Sequence, residues 1–242
     1  METKKVNDLI IKPLTKQQEA IDFKIQYPLP DISTRNFIMG VLGPTGSSKT
    51  TLYANLIRVH YFKVFNKIYF CSPNVTDDGK VYDQSLNSID FDEERTFQTI
   101  NNEIAEYIKL DIENDEDFEK KDFRALLIID DLATELKNQR HKKLTELILK
   151  SRHLKLSVIM ISHKYNYFQR IHRTNFTHFI MFRSKSKAEI RTIYEDIIDT
   201  TEEDFKKMYE YSTNEKYNFL YIILNTNPQL YFHNFNEQLI IN

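Results

Sequence analysis

The chain has 242 residues, 41% of them hydrophobic and 28% charged, which is enough apolar material for one sizeable core and excludes a wholly disordered polypeptide. A single cysteine, Cys71, excludes an intrachain disulfide and a cysteine-based metal site, and it points to a reducing, cytosol-like compartment. No apolar run approaches the roughly 18 residues of a membrane span, Met1 to Asn7 lacks the apolar core of a signal peptide, and no membrane partner is expected.

The net charge of −2 conceals an asymmetry. Ser72 to Asp122 carries 16 Asp/Glu against 5 Lys/Arg, whereas Lys137 to Arg191 carries 14 Lys/Arg against 2 Asp/Glu, together with five of the seven histidines. A basic half beside an acidic half suggests a polyanion-binding surface; the plainer alternative is a pair of solvated helix faces of opposite sign.

In chain order, residues 1–35 read as an N-terminal extension and 36–242 as one domain with an appendage from about residue 185. Asn36 to Leu42 is a short apolar run expected to form a buried strand, and Lys49 to Phe62 has helical spacing through Leu52, Leu56 and Val59. Lys67 to Cys71 reads as a second strand, Pro73 to Glu94 as a turn-rich loop, Thr96 to Leu110 as a helix and Ile112 to Asp122 as an acidic surface segment. Ala125 to Ile129 is an uninterrupted apolar run of the kind buried on both faces of a parallel sheet. Gln139 to Arg152 is an amphipathic helix, Ser157 to Ile161 and His178 to Phe182 are strands, and Lys185 to Ile198 and Glu202 to Tyr211 are helices. Phe219 to Leu224 and Leu230 to Phe232 are late strands. This alternation predicts an α/β fold with a largely parallel central sheet flanked by helices, with ligands at the C-terminal strand ends.

Only four glycines occur, and Gly40, Gly43 and Gly46 fall within seven residues. The segment Gly43-Pro44-Thr45-Gly46-Ser47-Ser48-Lys49-Thr50-Thr51 lies between an expected strand and an expected helix, the setting that makes a phosphate-binding loop credible. Converging backbone N–H groups and the helix N-terminus would cradle the phosphates of ATP, Lys49 would neutralise the β- and γ-phosphates, and the Thr50 hydroxyl would bind Mg²⁺. Ser48 stands where the pattern has its second glycine; if that position requires positive φ, serine costs about 1 kcal/mol or more.

The apolar run ending at Ile129 is followed by Asp130 and Asp131. Asp130 suits the Mg²⁺ shell and Asp131 suits the polarisation of an attacking water, with Glu135 a weaker candidate for that role; the alternative for Asp131 is a helix N-cap. The strand Ser157 to Ile161 ends in Ser162 and His163, either of which would face the γ-phosphate and sense it or orient water. Arg152 precedes that strand and is the first candidate for an arginine that reaches a neighbouring subunit's nucleotide; Arg173 and Arg183 are alternatives. Lys164, Arg170, Arg173, Lys185 and Lys187 follow strand ends, interleaved with Tyr165, Tyr167 and Phe168, where they could meet nucleic-acid phosphates without reading sequence.

The pieces GPTGSSKTT, LLIIDD and SRHLKLSVIMISHKYNYF followed by IHRTNFTHFIMFR together resemble the FtsK–HerA superfamily of DNA-pumping P-loop NTPases, of the ASCE type. Within it they are most similar to the virion-packaging ATPases of poxviruses, other large DNA viruses and virophages. Two positions depart from that pattern: Ser48 replaces the loop glycine and His163 replaces a glutamine. The resemblance implies ATP hydrolysis coupled to translocation of double-stranded DNA, a homo-oligomeric ring with nucleotide between subunits, docking on a capsid or portal protein, and work in the host cytoplasm at the viral factory and in the virion. A nucleoside or nucleotide kinase, or a slowly hydrolysing AAA-type DNA-binding loader, is the alternative. A GTPase is disfavoured because no Asn-Lys-x-Asp motif occurs.

Overall fold

The computed structural model describes residues 1–11, 27–30, 36–61, 63–76, 81, 86, 89, 91–137 and 141–241. Most of the expected N-terminal extension, the helix end at Phe62, much of the loop between Pro73 and Glu94 and the helix start at Gln139 lie outside the described residues.

Ten strands form one sheet: β1 (Glu2–Lys5), β2 (Ile38–Leu42), β3 (Lys67–Cys71), β4 (Thr96–Phe97), β5 (Ala125–Asp130), β6 (Leu156–Ser162), β7 (His178–Phe182), β8 (Phe219–Ile223), β9 (Leu230–His233) and β10 (Glu237–Ile240). Their spatial order is β1-β10-β9-β8-β7-β2-β6-β5-β3-β4. From β7 to β4 every neighbouring pair is parallel, and from β7 to β1 every pair is antiparallel. Glu2–Lys5 and the strands after residue 185 thus extend the same sheet.

Burial on both faces explains the apolar runs of the central strands. Alternate residues feed two cores. Met39, Val41, Leu126 and Ile128 pack with Leu52, Tyr53 and Leu56 of helix α1 (Lys49–Asn55) and its π-helical continuation Leu56–His60. Leu42, Leu127 and Ile129 face the opposite core, shared by helices α2 (Asn102–Glu113), α4 (Lys142–Leu149), α6 (Lys187–Ile197) and α7 (Glu202–Ser212). Two short helices, α3 (Ala133–Lys137) and α5 (Arg170–Arg173), follow β5 and β6.

The structure corrects the reading of the segment from Thr96. Thr96 and Phe97 pair with β3, and the helix starts six residues later because the Asn101 side chain accepts hydrogen bonds from the Glu103 and Ile104 amides, both at 2.9 Å. The helix then runs to Glu113, so Ile112 is core and not surface. Lys67, buried on β3, meets Asp111 at 2.9 Å and Asp115 at 2.8 Å. Burial alone would raise the Asp111 carboxyl, but hydrogen bonds from Arg95, Tyr69 and Lys67 outweigh it and hold its pKa at about 2.

Because the folded Asp111 carboxyl titrates at about 2 rather than 3.8, the stability it contributes is present above about pH 4 and is lost as the pH falls toward 2. Asp111→Asn should lower the urea midpoint near neutral pH, with the gap from the parent narrowing steadily below pH 4. A gap independent of pH would contradict this account.

Candidate nucleotide site

The C-terminal end of β2 enters the loop with its backbone already constrained. The Gly43 amide donates to the Ser162 carbonyl at 3.2 Å, and a Cβ at Gly43 would lie 2.6 Å from Ser47 Oγ and 2.9 Å from Phe182 Cβ, so only glycine fits there. Gly46 and Ser48 are both left-handed, at φ 76° and 71°. Ser48 therefore occupies a conformation that favours glycine, as its position in the motif foreshadowed. Pro44, Thr45 and Gly46 are exposed, and Thr50 and Thr51 are half-buried at the helix start. The Ser47 hydroxyl is buried with no hydrogen-bond partner among the described residues, which leaves it available to a phosphate oxygen.

Lys49 is 8% exposed. Its ammonium donates to the carbonyls of Gly43 at 2.7 Å and Pro44 at 3.0 Å, and it lies 3.3 Å from His163 Nδ1. Burial pushes its pKa down, and the nearby charges of Asp130 and Asp131 oppose that shift. The far side of the imidazole, Nε2, lies 2.5 Å from Asp131 Oδ1. A charged Lys49 can only donate to Nδ1, which assigns the ring proton to Nε2 and directs it at Asp131. Lys49, His163 and Asp131 thus form one connected chain across the loop and the ends of β6 and β5.

Asp131 is itself left-handed, at φ 60°, a conformation aspartate tolerates better than most residues, and its amide donates to Ile161 O at 3.3 Å. Asp130 is buried at the last position of β5, where Tyr53 OH donates to Oδ2 at 2.9 Å. Sequence reasoning missed Tyr53, although its signal was present: it lies one helical turn beyond Lys49 and Thr50, on their side of α1. This hydrogen bond ties the first turns of α1 to the acidic strand end. The donor set of Thr50 hydroxyl and Asp130 carboxylate is hard oxygen and suits Mg²⁺, which takes few protein ligands when phosphates supply the rest.

Other expected site residues lie differently. Ser162 Oγ donates to Lys164 O at 3.1 Å and accepts from Lys164 N at 3.3 Å, so it shapes the turn after β6. Glu135 on α3 accepts from Thr99 Oγ1 at 3.3 Å. Arg152 is exposed before β6, whose seven residues, at about 3.3 Å each, put it roughly 20 Å from the phosphate loop of its own chain. Arg173 is not free for phosphate: it pairs with Asp196 and its guanidinium lies 4.8 Å from the Tyr165 ring centre.

The basic stretch also shrinks on folding. His172 and His178 are buried, and desolvation pushes them down to about 4 and about 3, so both are neutral at pH 7. Tyr165 and Phe168 are core residues. Lys164, Arg170, Arg183, Lys185 and Lys187 remain exposed, all after the C-terminal ends of β6 and β7.

A parallel sheet with this loop after one strand and acids at the end of another defines a P-loop NTPase. Residues 25–230 match the family described as poxvirus A32 protein, and the chain belongs to that family. Solved structures agree with the fold. The genome packaging NTPase B204 of Sulfolobus turreted icosahedral virus 2, in complex with AMPPCP, is 19% identical with a TM-score of 0.59, over 86% of this chain and 98% of that one. The DNA-packaging ATPase B204 of Sulfolobus turreted icosahedral virus is 17% identical with a TM-score of 0.56, over 86% and 99%. The cytoplasmic domain of the Thermomonospora curvata type VII secretion ATPase EccC is 12% identical with a TM-score of 0.52, over 86% of this chain but 24% of that one. No curated protein sequence matches the chain. Among the described residues no helix is long and apolar enough to cross a membrane.

Left-handed backbone costs a non-glycine residue about 1–2 kcal/mol, whereas glycine loses roughly 0.5–1 kcal/mol more than other residues in conformational entropy. Ser48→Gly should therefore raise the unfolding free energy by a few tenths to about 1 kcal/mol. A clear fall in urea denaturation would mean that the serine side chain compensates for its own strain.

Proposed function

We propose that the chain is an ATP-hydrolysing motor that packages double-stranded viral DNA into a capsid, working as a homo-oligomeric ring. The observation that carries this reading is the convergence of Lys49, Asp130 and Asp131 at one cluster of strand ends, inside a fold shared with genome-packaging NTPases. The Lys49 ammonium, which rests on two loop carbonyls, would turn to the β- and γ-phosphates as ATP enters. Thr50 and Asp130 would hold Mg²⁺, which when bound neutralises charge on the transferring phosphoryl group. Asp131 would accept the proton of the attacking water at Oδ2, while His163 Nε2–H fixes Oδ1 and so sets the direction of the carboxylate.

Arg152 acts in trans under this proposal. Its place at the opposite sheet edge rules out contact with its own nucleotide but suits a head-to-tail ring, in which one subunit's N-terminal strand edge faces its neighbour's C-terminal edge. Lys164, Arg170, Lys185 and Lys187 are the exposed cations we assign to DNA phosphates; Arg173 is withdrawn from that set by its ion pair. Docking on a capsid or portal protein, and action at the viral factory in the host cytoplasm and in the virion, complete the proposal.

ATPase assays with and without duplex DNA test it. Hydrolysis by the parent should be DNA-stimulated, Lys49→Ala should abolish it, Asp131→Asn should lower kcat by about 10²–10⁴-fold, and Arg152→Ala by about 10³-fold or more. Arg152→Ala subunits mixed with parent should depress activity beyond simple dilution. Full activity in Lys49→Ala would overturn the site, and strict dilution behaviour would overturn the trans arginine. Phosphoryl transfer to added nucleosides without DNA stimulation would instead favour a kinase.

A further inference from the structure

The core has no need of a hydroxyl at residue 53. Tyr53 is fully buried, its ring centre lies 6.3 Å from that of Phe70, and it packs with Met39, Val41, Leu126 and Ile128 on the α1 face of the sheet. A phenylalanine ring would fill the same space. A phenol oxygen taken so far from water requires a partner, and Tyr53 OH donates to Asp130 Oδ2 at 2.9 Å. The polar end of this side chain is therefore explained by the residue it reaches.

Its place on the helix agrees. Thr50 and Tyr53 stand three residues apart on α1, so both side chains leave the same face of that helix. Asp130 ends β5, and pairing with Ile161 of β6 sets its backbone. What the backbone leaves open is the rotation of the carboxylate. Asp130 is 6% exposed, so water does little to orient it. The Lys49 ammonium lies near enough for the two charges to attract, a pull that would turn the carboxylate toward the lysine. A hydrogen bond at Oδ2, from a ring that the core holds in place, resists that turn.

We propose that Tyr53 is a positioning residue for the divalent cation: its hydroxyl holds Asp130 in the orientation that receives Mg²⁺ and so sets the affinity of the nucleotide complex for the metal. The inference rests on Thr50 and Asp130 holding Mg²⁺ as proposed above. Removing a hydrogen-bond partner of a metal-bound side chain typically weakens the metal by about 10–100-fold, because the ligand loses its fixed direction. Tyr53 acts from the second turn of α1, whereas Lys49 and the loop amides that would face the phosphates lie in the first turn and before it. Loss of the hydroxyl should therefore be felt by the metal and not by the phosphates.

Mn²⁺, followed by its electron paramagnetic resonance signal, tests the proposal as a stand-in for Mg²⁺. The full chain, in excess over a non-hydrolysable ATP analogue, is titrated with Mn²⁺. Tyr53→Phe should weaken Mn²⁺ binding about 10–100-fold, while affinity for the analogue in EDTA stays within about twofold of the parent. Phe70→Leu loosens the ring but keeps the hydroxyl; it should lower the urea midpoint and leave Mn²⁺ affinity close to that of the parent, which separates damage to the packing from loss of the hydrogen bond. Unchanged Mn²⁺ affinity in Tyr53→Phe, or an equal loss in Phe70→Leu, would overturn the positioning role. Asp130→Asn should weaken Mn²⁺ at least as much as Tyr53→Phe; if it has no effect, the metal assignment itself fails instead.

Discussion

A buried ammonium with nowhere else to go is the constraint on which this site turns. Lys49 is withdrawn from water, and burial works against its charge. Two loop carbonyls, the His163 ring and the fields of Asp130 and Asp131 offset that penalty. The compensating groups come from three separate places in the chain, so satisfying one cation requires the phosphate loop, the end of β5 and the end of β6 to meet. Tyr53 adds a second tie, from α1 to Asp130. The convergence that would grip a magnesium–triphosphate is therefore also what makes the folded site electrostatically tolerable without one.

The His163 link gives the site a physical order of events under the proposed mechanism. When a γ-phosphate draws Lys49 away, the hydrogen bond to Nδ1 is lost while the Nε2 contact to Asp131 can persist. A histidine has two distinct nitrogens on opposite sides of a rigid ring, so it can bridge the cation and the acid. The sheet then divides the labour. Its C-terminal edge carries the loop, the acids and the exposed cations, and its N-terminal edge carries Arg152. Neither edge alone completes the proposed catalytic set, which is the geometric reason the proposed ring would serve it.

Much of the architecture was legible in the sequence because β2, β3, β5, β6 and β7 are buried on both faces and must be continuous apolar runs. The phosphate loop was legible for a different reason: glycine is scarce in this chain and clusters where the backbone turns left-handed. What escaped reading depends on long-range partners. Thr96 and Phe97 have helical-looking neighbours but pair with β3, and the polar edge strand Glu2–Lys5 is a strand because it pairs with Glu237–Ile240, which pairs in turn with β9. Charge counting overstated the free basic surface, since nothing in the order of residues announces that Arg173 is claimed by Asp196, and the histidines His172 and His178 that accompany the basic stretch are core.

The most direct test is a crystal structure of the chain with magnesium and a non-hydrolysable ATP analogue. The account predicts Lys49 rotated off the Gly43 and Pro44 carbonyls onto the β- and γ-phosphates, with the metal between Thr50 and Asp130. A nucleotide bound elsewhere, or a Lys49 still resting on those carbonyls beside a bound triphosphate, would contradict it.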